Sequence, residues 1–171
     1  RDRGELHGQV GGAIETLYAD RLSEYIYLLS RHYSWSPRAD RALHYSILAG
    51  QKSTRDFINA QAREYFQQAL DILAQVEYEH SQAFDIHLGL GDALAFSGEY
   101  ENARDHYRKA QNFITKEDNA FPKSFVELHR NIGKTYVRQG DYDQALNHLS
   151  KAHQALDCCP DENPTERSEV W

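Results

Sequence analysis

Methionine is absent from this sequence, and cysteine occurs only as the neighbours Cys158 and Cys159. Adjacent cysteines cannot staple distant segments together, so a secreted disulfide framework is excluded and a cytoplasmic setting is expected. Proline is confined to positions 37, 122, 160 and 164, at predicted helix starts or near the C-terminal end, so no predicted helix is interrupted. No apolar run reaches the roughly 20 residues that cross a bilayer, which gives an expectation of no membrane contact. Nor is there a charged-then-apolar secretory leader. Positive charge is short: 19 Lys and Arg stand against 26 Asp and Glu, a net charge of −7. Nucleic-acid binding, which calls for a basic face, is therefore not expected.

Chemical motifs are equally scarce. The chain has no phosphate loop of the G-x-x-x-x-G-K-[ST] type, no G-x-S-x-G elbow, no H-E-x-x-H and no paired C-x-x-C. Gly89-Leu90-Gly91 is a fragment of a dinucleotide fingerprint, but Leu94 fills the third glycine position. Nine histidines invite a metal, yet four of them form two repeat-equivalent pairs, His87/His129 and His106/His148, whose spacing repetition alone explains. No catalytic residue, metal site or cofactor is expected.

What the chain does carry is an echo. His87, Gly91, Gly98, Tyr100, Ala103, His106, Lys109 and Ala110 recur 42 positions later as His129, Gly133, Gly140, Tyr142, Ala145, His148, Lys151 and Ala152. A fixed period of this order marks units that bury their apolar faces against one another. Each unit reads as two helices. Gly91 and Gly133 sit where backbones approach, Gly98 and Gly140 end the first helix in a left-handed turn, and Tyr107 and Ala110 continue the apolar face of the second. A weaker copy precedes them: Gly50 lies 41 residues before Gly91, and Ala62, Phe66 and Ala69 lie 41 before Ala103, Tyr107 and Ala110. Its turn has Phe57 where Gly98 would stand, with Asn59 as the expected N-cap of the following helix.

The pattern L-G-x-x-L/Y, a turn Gly, then Y-x-x-A-x-x-x-Y/L-x-x-A resembles the tetratricopeptide repeat in a long-helix version. His87 and His129 stand where that family often has Trp. The resemblance implies an all-α superhelical solenoid of about eight antiparallel helices, with hairpins over 37–75, 78–115 and 121–157, a helical pair over 1–36 and a polar tail or linker over 158–171. It also implies a groove lined by the first helix of each unit. The matching positions are Leu88, Asp92 and Phe96, then Arg130, Lys134 and Arg138, with Ile47, Gln51 and Arg55 from the weaker unit. Some members clamp a peptide carboxylate there with Lys, Arg and Asn. In this chain only the last unit supplies a cationic strip.

The N-terminal third reads as two amphipathic helices, Glu5 to Tyr18 and Arg21 to Tyr33, with Asp20 as N-cap of the second and Pro37 opening a third. The strings L-H-x-x-V-x-x-A-I-E-x-L-Y, L-L-S-R-H-Y and R-A-L-x-Y-x-x-x-A-G are similar to the helical region that follows the ATPase module in bacterial cyclase–ATPase fusions and ATPase-type transcriptional regulators. With no Met at position 1, this resemblance makes a fragment of a larger signalling protein the expectation. The expected function is non-catalytic binding of a protein or peptide partner. The alternatives are a self-associating scaffold, in which an exposed apolar end repeat stacks on another copy, and a small-ligand sensor with a pocket lined by Tyr18, Tyr25, Tyr33 and Tyr45.

Overall fold

The computed structural model describes residues 3–114 and 121–157. They form eight α-helices: α1 (Arg3–Leu17), α2 (Leu22–Ser34), α3 (Ala39–Arg55), α4 (Asn59–Leu73), α5 (His80–Phe96), α6 (Tyr100–Gln111), α7 (Phe121–Gln139) and α8 (Tyr142–Asp157). A 3-10 turn at Ala19–Arg21 leads into α2, and no strand occurs among the described residues. Each helix packs on the next in sequence, and α3, α5 and α7 also touch one another as a row of first helices. The architecture is the all-α stack of helical hairpins that the repeat implies. The reading of 158–171 as a tail, Cys158 and Cys159 included, lies outside the described residues.

Every hairpin is closed by a side chain of its second helix seated on a glycine of its first. A Cβ at Gly50 would lie 2.8 Å from the Phe66 ring, one at Gly91 2.4 Å from the Tyr107 ring, and one at Gly133 2.9 Å from Leu149 Cγ. The members of each pair stand 16 residues apart. Gly89 serves Phe66 from the other side, since a Cβ there would be 2.3 Å from the same ring. Phe66 is thus clasped between a glycine of its own hairpin and one of the next, which ties two units together. The Gly89-Leu90-Gly91 string is a packing device of two glycines aimed at two different rings.

The first hairpin uses the same scheme in a form that the 42-residue period conceals. Gly11 lies under the Tyr33 ring, with a Cβ distance of 2.7 Å. His7, four residues before that glycine, meets His32, the neighbour of Tyr33, with their Nδ1 atoms 3.0 Å apart. His87 and Gly91 face His106 and Tyr107 in the same way, at 3.1 Å between the histidines. His129 and Gly133 likewise face His148 and Leu149, at 2.9 Å. Residues 3–34 therefore hold a packed unit of the repeat's own kind. Its register differs because Tyr33 sits one turn further into α2 than Tyr107 does into α6.

Tyr33 and Tyr45 stack at 5.4 Å in the core beside Ile14, Leu29 and Ala42. Both hydroxyls donate to Glu15, at 2.8 and 2.6 Å, and Arg41 approaches the same carboxylate at 3.3 Å. Burial raises the pKa of Glu15, but the two hydroxyl bonds and Arg41 hold it below the usual range on balance. These tyrosines, expected as pocket lining under the sensor reading, fill the core instead. Tyr18 and Tyr25 stack on each other at 4.3 Å at its edge.

The turns between paired helices share one geometry. Gly98 and Gly140 have φ of 82° and 81°. The next amides, Glu99 and Asp141, donate to the carbonyls of Leu94 and Tyr136 at 3.0 Å each, closing the helix end. Phe57 occupies the same left-handed conformation, φ 60°, and Ile58 N–H donates to Ser53 O at 2.8 Å. A side chain there costs about 1–2 kcal/mol, offset by the closure it permits. Three capping expectations need correction. Asn59 is the first residue of α4 and its amide reaches back to Phe57 O at 3.4 Å. Asp20 lies in the 3-10 turn, leaving Arg21 ahead of α2 with no side-chain cap. Pro37 stands two residues before α3, its carbonyl accepting from Ala39 N–H at 3.2 Å.

The glycines predict opposite mutational signs. Gly91→Ala should destabilise by roughly 1–3 kcal/mol through overpacking against Tyr107, despite the better helix former. Gly12, with nothing within 4 Å of its Cβ position, should gain about 0.5–1 kcal/mol when changed to Ala. Thermal unfolding followed by circular dichroism checks both; an unperturbed Gly91→Ala protein would remove the ring–glycine contact from its structural role.

Candidate partner-binding site

The first helices α5 and α7 lie side by side, and between them opens a shallow depression of about 150 Å³. Asp92, Ala95 and Phe96 form the α5 wall, and Asn131, Lys134, Thr135 and Arg138 form the α7 wall, with Tyr107 of α6 at the floor. Helical spacing explains the grouping: 92, 95 and 96 share one face of α5, and 131, 134, 135 and 138 share one face of α7. Phe96, Lys134 and Arg138 are exposed, whereas Thr135 is buried.

Asp92 organises the floor. Its Oδ1 accepts from the Tyr107 hydroxyl at 2.7 Å and from Asn131 Nδ2 at 2.9 Å. Burial pushes its pKa up to about 6; nearby Glu127 adds to the rise, while the two hydrogen bonds and Arg130 oppose it. The Tyr107 hydroxyl is pushed up in turn, by burial first and then by the Asp92 charge. Two turns earlier on α5, Asp85 accepts from Gln51 Nε2 of α3 at 3.1 Å and is also raised to about 6, mainly by burial and then by Glu127. The row of first helices is therefore acidic and half-buried toward α3, and cationic and exposed on α7.

Arg104 supports the α7 wall from behind. It is a buried arginine that donates from Nη1 to Thr135 Oγ1 at 3.1 Å, pairs with Glu101, and lays its guanidinium 4.3 Å above the Tyr136 ring. Thr135 Oγ1 in turn donates a hydrogen bond to Ile132 O at 2.7 Å. The bonds from both terminal nitrogens and the stacking on Tyr136 fix the wall carrying Lys134 and Arg138 to α6.

Of the groove candidates, the structure brings Asp92, Phe96, Lys134 and Arg138 together. Arg130 lies one turn before Lys134 on α7, half-buried and close enough to act on the Asp92 charge. Arg55 is exposed in the last turn of α3, outside the depression. Leu88 does not face it either: it is buried in the core with Phe84, Leu128 and Ile132. Four participants were not singled out as groove residues: Tyr107, Asn131, Thr135 and Arg104. Asn131 carried a readable signal, since it occupies the repeat position of Gly89 and so breaks the packing pattern with a polar group.

The paired histidines hold no metal-type cluster; among the described residues no group of three or more metal-ligating side chains converges. In the His129–His148 pair the ring centroids are 5.1 Å apart and the Nδ1 atoms 2.9 Å. The difference is about two ring radii, so the nitrogens point head-on, a hydrogen bond in which one ring donates and the other accepts. Burial first, and then the partner ring, pushes His87 and His129 down to about 4.

The comparisons with known proteins fit this geometry. Residues 59–116 match one tetratricopeptide repeat model and residues 126–157 match another. These segments are tetratricopeptide repeats, and together they make up more than half of the chain. Such repeats are protein-interaction modules. Among solved structures the chain is similar to MamA. A point mutant of MamA aligns with 20% identity over 95% of this chain and 100% of that one at a TM-score of 0.55. A second MamA crystal structure aligns with 16% identity over 95% and 99% at the same TM-score. At this identity the likeness concerns the fold. No curated protein matches the chain.

The buried titratable groups set a pH dependence. A histidine depressed in the folded state gives stability that is complete above its unfolded value of 6.5 and is lost as pH falls toward 4. Asp85 and Asp92 work oppositely, because folding raises them above their ordinary 3.8, so acidification through about 6 favours the fold. A His87→Gln/His129→Gln protein should accordingly lose less stability than its parent between pH 7 and pH 5, and Asp92→Asn should lose more. Melting temperatures at the two pH values test the signs; equal losses in all three proteins would refute the assignment.

Proposed function

We propose that this chain is a protein-interaction module that holds an extended acidic peptide segment along the concave face of its first helices. Lys134 and Arg138 meet carboxylates of the segment, and Phe96 receives an apolar side chain across the depression. The observation that carries this reading is that an exposed ring and two exposed cations share one opening whose remaining carboxylate, Asp92, is already engaged by Tyr107 and Asn131. Asp92 repels carboxylates from the α5 side, so the partner's acidic groups align on α7. Arg130 adds positive potential one turn away. Arg104 makes this wall rigid, which limits the ordering cost of binding.

The setting we infer is a larger cytoplasmic signalling protein, on the likeness of the Leu6–Tyr18, Leu28–Tyr33 and Arg41–Gly50 strings to the helical region of cyclase–ATPase and ATPase-type regulators. In that setting this segment binds and other segments catalyse.

A panel of labelled acidic, neutral and basic peptides, read by fluorescence anisotropy, tests the site. Acidic peptides with a neighbouring apolar residue should bind best, and more weakly as salt rises. Lys134→Glu/Arg138→Glu should weaken them at least tenfold, about 1.4 kcal/mol, with unchanged helicity. Equal binding by the double reversal, or preference for basic peptides, would overturn the reading.

A further inference from the structure

Within the stack each joint between units is made the same way: the second helix of one hairpin covers the first helix of the next. On the receiving helices the contact positions are buried throughout. Ile86 and Leu90 of α5 are 0% and 2% exposed, packed with Phe66, Ala69 and Leu73 of α4. Leu128 and Ile132 of α7 are 0% and 4% exposed, packed with Ala103, Tyr107 and Ala110 of α6. Matching His7 and Gly11 to His87 and Gly91 puts Leu6 and Val10 of α1 at the positions of Ile86 and Leu90. Both are 42% exposed. With Ala13 and Leu17 they form an open stripe at i, i+4, i+7 and i+11, facing away from Gly11, which packs on Tyr33 of α2.

On the covering face the matching position is polar in each inner unit: Ser30 on α2, Arg63 on α4 and Arg104 on α6. On α6, Arg104 is 5% exposed because it reaches Thr135 and Tyr136 of the next unit. On α4, Arg63 bridges to Glu99 of the next unit at 2.8 Å. The same position on α8 is Leu146, an apolar residue 55% exposed, flanked by exposed Tyr142 and half-buried Leu149 in the same i, i+4, i+7 spacing. α8 and α1 therefore each present an exposed apolar seam, one of the covering kind and one of the receiving kind.

We propose that α8 of one copy covers α1 of a second copy, so that the joint made three times inside the chain, α2 on α3, α4 on α5 and α6 on α7, is made a fourth time between chains. The occupant is a second copy because the chain itself supplies both halves of the joint in one register, over about 16 Å of helix. In this register Leu149 meets Leu6 and Val10, as Tyr107 meets Leu128 and Ile132, and Leu146 lies over Ala13 toward Leu17, where Arg104 meets Thr135 and Tyr136 inside the chain. The interface is head-to-tail: each copy gives one face and receives on the other, leading to open rows or closed rings but not to a symmetric pair. It lies on α8 and α1, apart from the peptide site between α5 and α7.

Sedimentation or light scattering across a concentration series tests this. The parent protein should pass from one chain to dimers and higher multiples as concentration rises. Leu146→Glu and Val10→Glu, both at exposed positions, should each stay single-chain with unchanged helicity. Mixing the two should restore one contact only, giving a 1:1 dimer that does not grow, since each retains the face that the other lacks. A parent that remains single-chain throughout, or variants that still self-associate separately, would overturn the proposal. Peptide binding by either variant reports on the groove alone, so the two readings fail independently.

Discussion

A ring seated on a bare backbone holds this molecule together. Four glycines of first helices receive Tyr33, Phe66, Tyr107 and Leu149 from second helices, and a Cβ at any of the four would intrude to within 3 Å of its partner. The contact sets how closely two helices approach, and the other layers follow from that spacing. It lets Ala62, Ala69, Ala103 and Ala110 be buried, and it brings the histidines one turn away into hydrogen-bonding range. Phe66 extends the contact across a joint by meeting Gly89, so one side chain fixes both the shape of a unit and its seat on the next. Dispersion contacts of this kind are individually small and add up only where surfaces match, which is why the glycines cannot be exchanged for a better helix former.

Much of the fold was legible because repetition samples the same physics several times. Gly98 and Gly140 could be read as turn residues, and their left-handed φ is the reason glycine stands there. Phe57 was harder, because a bulky residue in that conformation contradicts local preference and is tolerated only where the helix-closing bond to Ser53 and the surrounding units dictate the path. The first hairpin escaped the period because its ring lies a turn further along α2. Only the three-dimensional quartet of histidine, glycine, histidine and ring exposes it as another unit.

The candidate site was legible in part. Asp92, Phe96, Lys134 and Arg138 follow from helical phase once Gly91 and Gly133 are aligned. Leu88 has the same phase argument on its side and yet is buried, because Phe84, Leu128 and Ile132 close over that side of α5 as the next hairpin settles. The roles of Tyr107 and Arg104 depend on what crosses a joint, and sequence spacing within one unit carries no information about that. Tyr107 is both the wedge on Gly91 and the donor to Asp92, so packing and site chemistry meet in one residue.

The histidine pairs give three of the four hairpins a polarity. In a neutral pair one ring must carry its proton on Nδ1 and the other must not, so the two outer nitrogens are opposite in kind: one Nε2 accepts and the other donates. The three pairs, His7/His32, His87/His106 and His129/His148, are chemically alike but each has two such states of nearly equal composition. Exchanging donor and acceptor at the outer nitrogens takes two proton moves, one across the Nδ1···Nδ1 bond and one from the donating Nε2 to the accepting Nε2 through solvent, and no helix has to move. The stack thus carries three local binary settings of hydrogen-bond direction, written in tautomers instead of in backbone geometry.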